Sequence, residues 1–145
     1  MIPIPSKETE EGPEAEAAIQ ASIRLALGQL PDVRIWRNNV GSGVIIKVGQ
    51  LIGILTSKSG GIKAAIAFLK LLRPVTWGLC VGSSDLIGIV APRGRFLAIE
   101  VKSAKGVLSE EQEQWIAIVE RFGGVAGPAR SVDEAMALVE RARTE

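Results

Sequence analysis

Residues 85–102, DLIGIVAPRGRFLAIEVK, decide the fold. Two apolar runs flank residues 91–94, APRG, where proline and glycine are typical of a tight turn. Both runs are apolar on both of their faces, which is typical of strands in the middle of a sheet. The stretch therefore predicts a β-hairpin with central strands over residues 85–90 and 95–102.

The four-residue turn also predicts the register of this hairpin. If Val90 pairs with Arg95, Asp85 lies directly opposite Glu100 on one face of the sheet. Opposed like charges cost up to about 1 kcal/mol at exposed sites and more when buried. Lys102 shares this face because side chains alternate with a period of two. We therefore expect positive charge beside the two acids.

Two interpretations account for these three residues. In the structural one, Lys102 forms an ion pair with one acid and the other acid is partly solvated at the strand end. In the functional one, a divalent cation lies between Asp85 and Glu100, since Mg²⁺ and Mn²⁺ prefer carboxylate oxygens. Two acids and one lysine leave a net negative charge, which favours the cation.

The composition excludes several kinds of catalytic site. The chain has 145 residues, enough for one domain, with no His, no Tyr and one Cys. Ser-His-Asp and Cys-His nucleophiles, HExxH zinc sites and disulfide frameworks are therefore excluded. Any catalysis must use carboxylates, lysines, hydroxyl groups and a bound cation.

Charge is unevenly distributed along the chain. The net charge is +1 overall, but residues 21–107 carry +9 and the segments on either side carry −4 each. Such a basic stretch is typical of proteins that bind a polyanion, although a solvated basic face without a partner is an alternative. No apolar run approaches the roughly 18 residues of a membrane span, so we expect a soluble, intracellular protein with no membrane partner.

Periodicity, capping residues and chain breakers predict the other elements. In chain order they are a flexible tail over residues 1–13, a helix over 14–30, a strand over 33–37, a turn at 41–43, one or two strands over 44–55, a helix over 62–72, a strand over 75–81, a helix from a Ser109 capping box to Gly123, a strand over 125–129 and a helix from a Ser131 capping box. This order predicts a single mixed α/β domain over residues 14–145.

Asp85, followed after fourteen residues by Glu100-Val101-Lys102, resembles the PD-(D/E)XK nuclease motif. A wider ordered set resembles the VRR-NUC (virus-type replication-repair nuclease) family between Glu16 and about Val139. The set consists of Glu16-Ala17-Ala18-Ile19-Gln20, Trp36-Arg37-Asn38-Asn39, Gly82-Ser83-Ser84-Asp85-Leu86-Ile87-Gly88, Gly106-Val107-Leu108-Ser109, Gln112, and Gly123-Gly124-Val125-Ala126 before Arg130-Ser131. Ser84 stands where the superfamily motif has proline, and residues 49–74 contain no family landmark.

The resemblance implies a fold and an activity. The fold would be a PD-(D/E)XK-like mixed β-sheet flanked by helices. The activity would be Mg²⁺- or Mn²⁺-dependent endonucleolytic hydrolysis of DNA, on branched or flapped structures like those cut by Holliday-junction resolvases. A homodimer is also implied, in the cytoplasm of a bacterial or phage-infected host cell.

The same resemblance implies roles for individual residues. Asp85 and Glu100 would bind the metal with the carbonyl of Val101, and Lys102 would be the catalytic lysine. Gln112 and Glu16 would be further active-site residues. Each has a structural alternative, because Gln112 is at N3 of its capping box and Glu16 is an acid in the first turn of a helix.

Other polar and aromatic residues have less specific predictions. Lys105, Arg37, Asn38 and Asn39 are candidates for DNA phosphate contacts, although asparagines also close turns. Trp36, Trp77 and Trp115 are expected in the core or a dimer interface rather than as base-stacking platforms, and Cys80 is expected as a buried apolar residue.

Two other classes of function remain open from the sequence. A non-cleaving DNA-binding module with a nuclease fold is the first alternative, although two facing acids would repel phosphate in a protein that only binds DNA. A protein-interaction domain with an incidental basic segment is the second.

Overall fold

The computed structural model describes residues 12–44, 46–56 and 61–145. Most of the tail expected over residues 1–13 lies outside these described residues. Contacts divide the chain into two compact units, one formed by Met1–Val40 with Leu79–Glu145 and the other by Gly41–Gly78.

The described residues of the larger unit form one four-stranded sheet and three helices. Its elements are α1 (Pro13–Gly28), β1 (Val33–Arg37), β4 (Leu86–Val90), β5 (Arg95–Val101), α4 (Glu110–Arg121), β6 (Val125–Ala129) and α5 (Val132–Thr144). The strand order is β1-β4-β5-β6, with β4 antiparallel to both neighbours and β6 parallel to β5. The sheet is therefore mixed, and the predicted α/β class is confirmed.

The β4–β5 hairpin has the predicted register. Val90 pairs with Arg95 and Leu86 pairs with Ile99. Both strands are central in the sheet, as their apolar composition indicates. Continuing this register by one residue places Asp85, just before β4, opposite Glu100 in β5.

Helices cover both faces of this sheet. On one face, Ile23 of α1 and Val139 of α5 are fully buried in the main core together with Ile99 of β5. On the other face, Ala98 of β5 contacts a smaller cluster that includes Val119 of α4. Because side chains alternate, Glu100 shares the face of Ala98 and thus points to the side that α4 covers.

The smaller unit differs most from the predictions. It contains β2 (Gly41–Gly43), α2 (Val48–Thr56), α3 (Ile62–Leu71) and β3 (Val75–Trp77), with β2 and β3 paired antiparallel. The turn expected at residues 41–43 is wrong, because both glycines lie in a strand where Cβ atoms would come within 2.9 Å of the Trp77 ring. The strands expected over 44–55 are also wrong from residue 48 onward, where the chain is helical.

Both helices of the smaller unit expose apolar residues. We call Val48, Ile52 and Leu55 of α2, with Ile62, Ile66 and Leu69 of α3, the apolar stripes; these side chains are 44–73% exposed. Within each helix they are spaced i, i+4 and i+7, which places them on one face. Ala65 is the one buried hydrophobic residue among the described residues of this unit.

Several single-residue predictions also change. Cys80 is exposed and lies beyond β3, which ends at Trp77 rather than at residue 81. Trp36 and Trp77 are about half exposed, at 52% and 47%, so neither is a core residue. Trp115 is half-buried against the cluster that contains Ala98. None of the described helices has the length and apolar character required to cross a bilayer.

Candidate active site

Glu100 is the most buried ionisable group at the end of the hairpin, with a side chain only 3% exposed. Its Oε1 accepts a hydrogen bond from Lys102 Nζ at 3.1 Å. The same oxygen accepts a short hydrogen bond from Gln112 Nε2 of α4. Two donors from different elements therefore converge on one oxygen of this carboxylate.

Asp85 lies beside Glu100 and is fixed by the backbone of β5. Its Oδ2 accepts a hydrogen bond from the Val101 N–H at 2.9 Å. Burial raises the pKa of Asp85, and the charge of Glu16 acts in the same direction, while the Val101 hydrogen bond and Lys102 oppose the rise. The net effect is a carboxyl group that ionises less readily than a solvated aspartate.

The pKa of Glu100 is raised further, to about 7. Burial is the main cause and the charge of Asp85 is the second, and the hydrogen bond from Lys102 only partly offsets them. Lys102 alone is thus too little positive charge for two ionised acids. A bound cation would favour the ionised form of both carboxylates.

Gln112 forms its predicted capping box and also contacts Glu100. Its Oε1 accepts from the Ser109 N–H at 2.9 Å and its backbone N–H donates to Ser109 Oγ at 3.3 Å, which completes the predicted capping box. Its Nε2 remains available to donate to Glu100. The cap of α4 therefore aims this amide at the buried acid.

Glu16 reaches the site from α1. Its Oε1 accepts a hydrogen bond from the N–H of Ser103, in the loop after β5, at 3.0 Å. Glu16 is therefore more than an acid that is favoured by the dipole in the first turn of its helix, because its side chain also contacts a loop. A cavity of about 170 Å³ is lined by Pro13, Glu16, Ala17, Gln20, Arg37, Asp85 and Val101.

The structure separates the candidate DNA contacts. Arg37 lies in the cavity wall beside Asp85, whereas Asn38 is partly buried and its amide donates to Ser83 Oγ at 2.8 Å and to the Ser84 carbonyl at 3.0 Å. Asn39 and Lys105 are exposed, the latter in the turn after β5. Arg37 is thus the DNA candidate whose side chain borders the same cavity as Asp85.

Gly82 and Arg130 belong to the residues that carry the family resemblance, but the sequence did not predict that they support the loops of the site. Arg130 Nη2 donates to the Gly106 carbonyl at 2.8 Å, so it fixes the loop that Glu16 also contacts. Gly82 has φ +82°, and a Cβ there would lie 2.5 Å from the backbone of Glu111. In the sequence, Gly82 before Ser83-Ser84 was the one signal for this close approach. The contact of Arg130 with Gly106 could not be predicted, because it depends on tertiary packing.

The oxygen donors at this site suit a hard divalent cation. Mg²⁺ and Mn²⁺ are typically bound through one or two carboxylates, with water and substrate oxygens completing the shell. Asp85 and Glu100 provide that pair, and the Val101 carbonyl is a third oxygen at the same strand end. Over the described parts of the chain, no three acidic, His or Cys side chains group as metal ligands. Among the described residues, Asp85 and Glu100 are therefore the candidate carboxylate ligands for a cation.

The chain matches a known protein family. Residues 55–133 match the VRR-NUC domain, which is more than half of the chain and includes Asp85, Glu100, Lys102 and Gln112. No curated protein matches the chain. The extent of the family match and the residues it contains show that this chain belongs to the VRR-NUC domain family and has a nuclease-type function directed at DNA.

Proposed function

We propose that this protein is a Mg²⁺- or Mn²⁺-dependent endonuclease that hydrolyses phosphodiester bonds in branched or flapped DNA. The observation that carries this proposal is the pair formed by the half-buried Asp85 and the buried Glu100, in which the pKa of Glu100 is raised to about 7 beside a single lysine. A pair of this kind costs stability and needs a compensating function. Cation binding would be such a function.

Asp85, Glu100 and the Val101 carbonyl would hold the cation. When bound, such a cation polarises the scissile phosphate and stabilises the charge that develops during hydrolysis. Lys102, whose side chain is 12% exposed, orients the attacking water or offsets the same developing charge. Gln112 keeps the Glu100 carboxylate oriented through its hydrogen bond.

We assign substrate binding to cationic and polar residues in the middle of the chain. Arg37 borders the cavity beside Asp85, where a phosphate would be attracted, and Lys105 and Asn39 are exposed candidates for neighbouring phosphates. The net charge of +9 over residues 21–107 supports a polyanionic substrate. Glu16 acts on the loop after β5 through Ser103.

A homodimer is part of the same proposal. A branched DNA substrate has two arms of similar shape, and a twofold dimer presents two equivalent active sites to them. The apolar stripes of α2 and α3 support self-association, because exposed apolar patches often mark protein interfaces. We place this dimer in the cytoplasm of a bacterial or phage-infected cell.

The first experiment is a cleavage assay on single-stranded, duplex, flap and four-way DNA with Mg²⁺, Mn²⁺ or EDTA. We expect the wild type to cut flap or four-way DNA in the presence of metal only. Asp85→Asn, Glu100→Gln and Lys102→Met should each reduce the rate by a factor of about 100 or more, because each removes a group that acts on the transition state.

Asp133→Asn is the matched control, since it removes a carboxylate from α5, which carries none of the proposed site residues. This variant should cut like the wild type. Full cleavage by all three site variants would reject the assignment of the site. DNA binding without cleavage in either metal would instead indicate a non-cleaving module with a nuclease fold.

A further inference from the structure

Asp85 follows a loop whose conformation must be fixed by contacts from outside it. Residues 80–85, which we call the Asp85 loop, precede β4 and contain no helix or strand. Ser84 does not restrict the backbone as a proline would, although it is fully buried. The position of the Asp85 carboxylate therefore depends on hydrogen bonds to this loop.

Asn38 supplies three of those hydrogen bonds. Its backbone N–H donates to the Asp85 carbonyl at 2.8 Å, one step beyond the pairing of Arg37 with Leu86. Its side-chain Nδ2 donates to Ser83 Oγ at 2.8 Å and to the Ser84 carbonyl at 3.0 Å. The side chain thus connects the end of β1 to two further residues of the loop, Ser83 and Ser84.

The other side of the loop lies against α4. Gly82 approaches the backbone of Glu111, which leaves no room for a Cβ. Within the loop, Ser83 Oγ donates to the Cys80 carbonyl at 2.7 Å. The loop is therefore held between the end of β1 and the first turn of the helix that carries Gln112.

We propose that Asn38 is a positioning residue for the metal site rather than a DNA contact. Its amide fixes the Asp85 loop so that the Asp85 carboxylate remains on the Val101 N–H, facing Glu100. An aspartate could not replace it, because its carboxylate would face the Ser84 carbonyl with no proton to donate. The inference rests on the proposed function in one respect, the role of Asp85 as a metal ligand.

The test compares Asn38→Ala and Asn38→Asp with Gln29→Ala, a control at an exposed amide side chain at the end of α1 that has no assigned role at the site. The first readout uses metal-free protein and no DNA. Amide hydrogen exchange at Val101, which reports the hydrogen bond to Asp85, should become faster in the Asn38 variants. Exchange at Ala98 in the same strand should remain as in the wild type.

The second readout is Mn²⁺ affinity measured by calorimetry. Loss of a residue that orients a metal ligand typically weakens metal binding by roughly 10- to 100-fold, and we expect a loss in this range for both Asn38 variants. In cleavage assays kcat should fall while KM for DNA changes little. Gln29→Ala should show neither effect. If Asn38→Ala does not fold, Ser83→Ala removes one acceptor of the same amide and should shift Val101 exchange in the same direction.

Two outcomes would overturn the inference, and a third would separate it from the proposed function. Equal acceleration of exchange at Val101 and Ala98 would indicate a general loss of stability. Wild-type exchange and Mn²⁺ affinity, combined with weaker metal-free DNA binding, would make Asn38 a DNA contact. If the wild type binds no Mn²⁺ but Val101 exchanges faster in the Asn38 variants, Asn38 fixes the Asp85 loop and the proposed function is rejected.

Discussion

Glu100 connects the stability of the protein to its proposed chemistry. Its carboxylate is buried, faces a second acid and has one lysine as its ion-pair partner in the described structure. Its ionisation is therefore less favourable than that of a solvated glutamate, and further positive charge would favour the ionised form. A cation that binds here would be stabilised by the same two acids that destabilise the metal-free site.

This residue predicts how stability depends on pH in the metal-free protein. The pKa of Glu100 is about 7 in the folded chain against 4.5 for the free side chain, so between these values the folded state binds more protons than the unfolded state. The free energy of unfolding should then fall as pH rises from about 5 to about 7.5. The fall is on the order of 3 kcal/mol at most, since one pKa unit corresponds to about 1.4 kcal/mol.

Urea denaturation at pH 5, 6, 7 and 8 measures this dependence. The absence of histidine removes the side chain that usually titrates in this range. Glu100→Gln should show a shallower pH dependence than the wild type, and Mn²⁺ should stabilise the wild type more at pH 7.5 than at pH 5. Equal slopes for the two proteins would show that Glu100 is not the group that ionises.

At the scale of elements, α4 and α5 offer a matched pair of helix caps. Ser109 Oγ accepts from the Gln112 N–H at 3.3 Å, and Ser131 Oγ accepts from the Glu134 N–H at 3.2 Å. The predicted capping box at Ser131 is wrong in one detail, because the Glu134 carboxylate accepts from the N–H of Arg130 rather than of Ser131. Only the Ser109 box is reciprocal.

We expect Ser109→Ala and Ser131→Ala each to lower the free energy of unfolding by about 1 kcal/mol, the usual effect of removing such a cap. Ser109→Ala should also reduce cleavage several-fold, because it loosens the turn that aims Gln112 at Glu100. Ser131→Ala should retain the wild-type cleavage rate. Chemical denaturation and cleavage assays of both variants measure the two effects, and equal rates would show that the cap does not orient Gln112.

The elements also show how far sequence reasoning reaches. The β4–β5 hairpin was predictable with its register, because a short turn fixes which residues oppose each other. The contact of Gln112 with Glu100 was not, since it depends on how α4 lies on the sheet. Helix α2 was mistaken for strands because its apolar run has no polar alternation, although Val48, Ile52 and Leu55 already had helical spacing.

At the scale of the whole molecule, the smaller unit has an unusual composition. Residues 41–78 contain five Lys or Arg residues and no Asp or Glu. The two helices that contact each other in this unit expose their apolar stripes. Two copies of such a helix pair could bury these stripes in a four-helix arrangement, with the cationic side chains at its solvated edges.

The proposed dimer therefore has a direct test in the apolar stripes. We expect the wild type to have the mass of a dimer in light scattering at micromolar concentration. The double variant Ile52→Glu with Ile66→Glu should be monomeric, because two new acids per copy would meet across the interface and resist burial. Both positions are exposed, at 53% and 47%, so the variant should still fold. Val107→Glu, at an 82% exposed position outside this unit, is the matched control and should remain dimeric. A dimeric double variant would place the interface elsewhere, and a monomeric wild type would reject the homodimer.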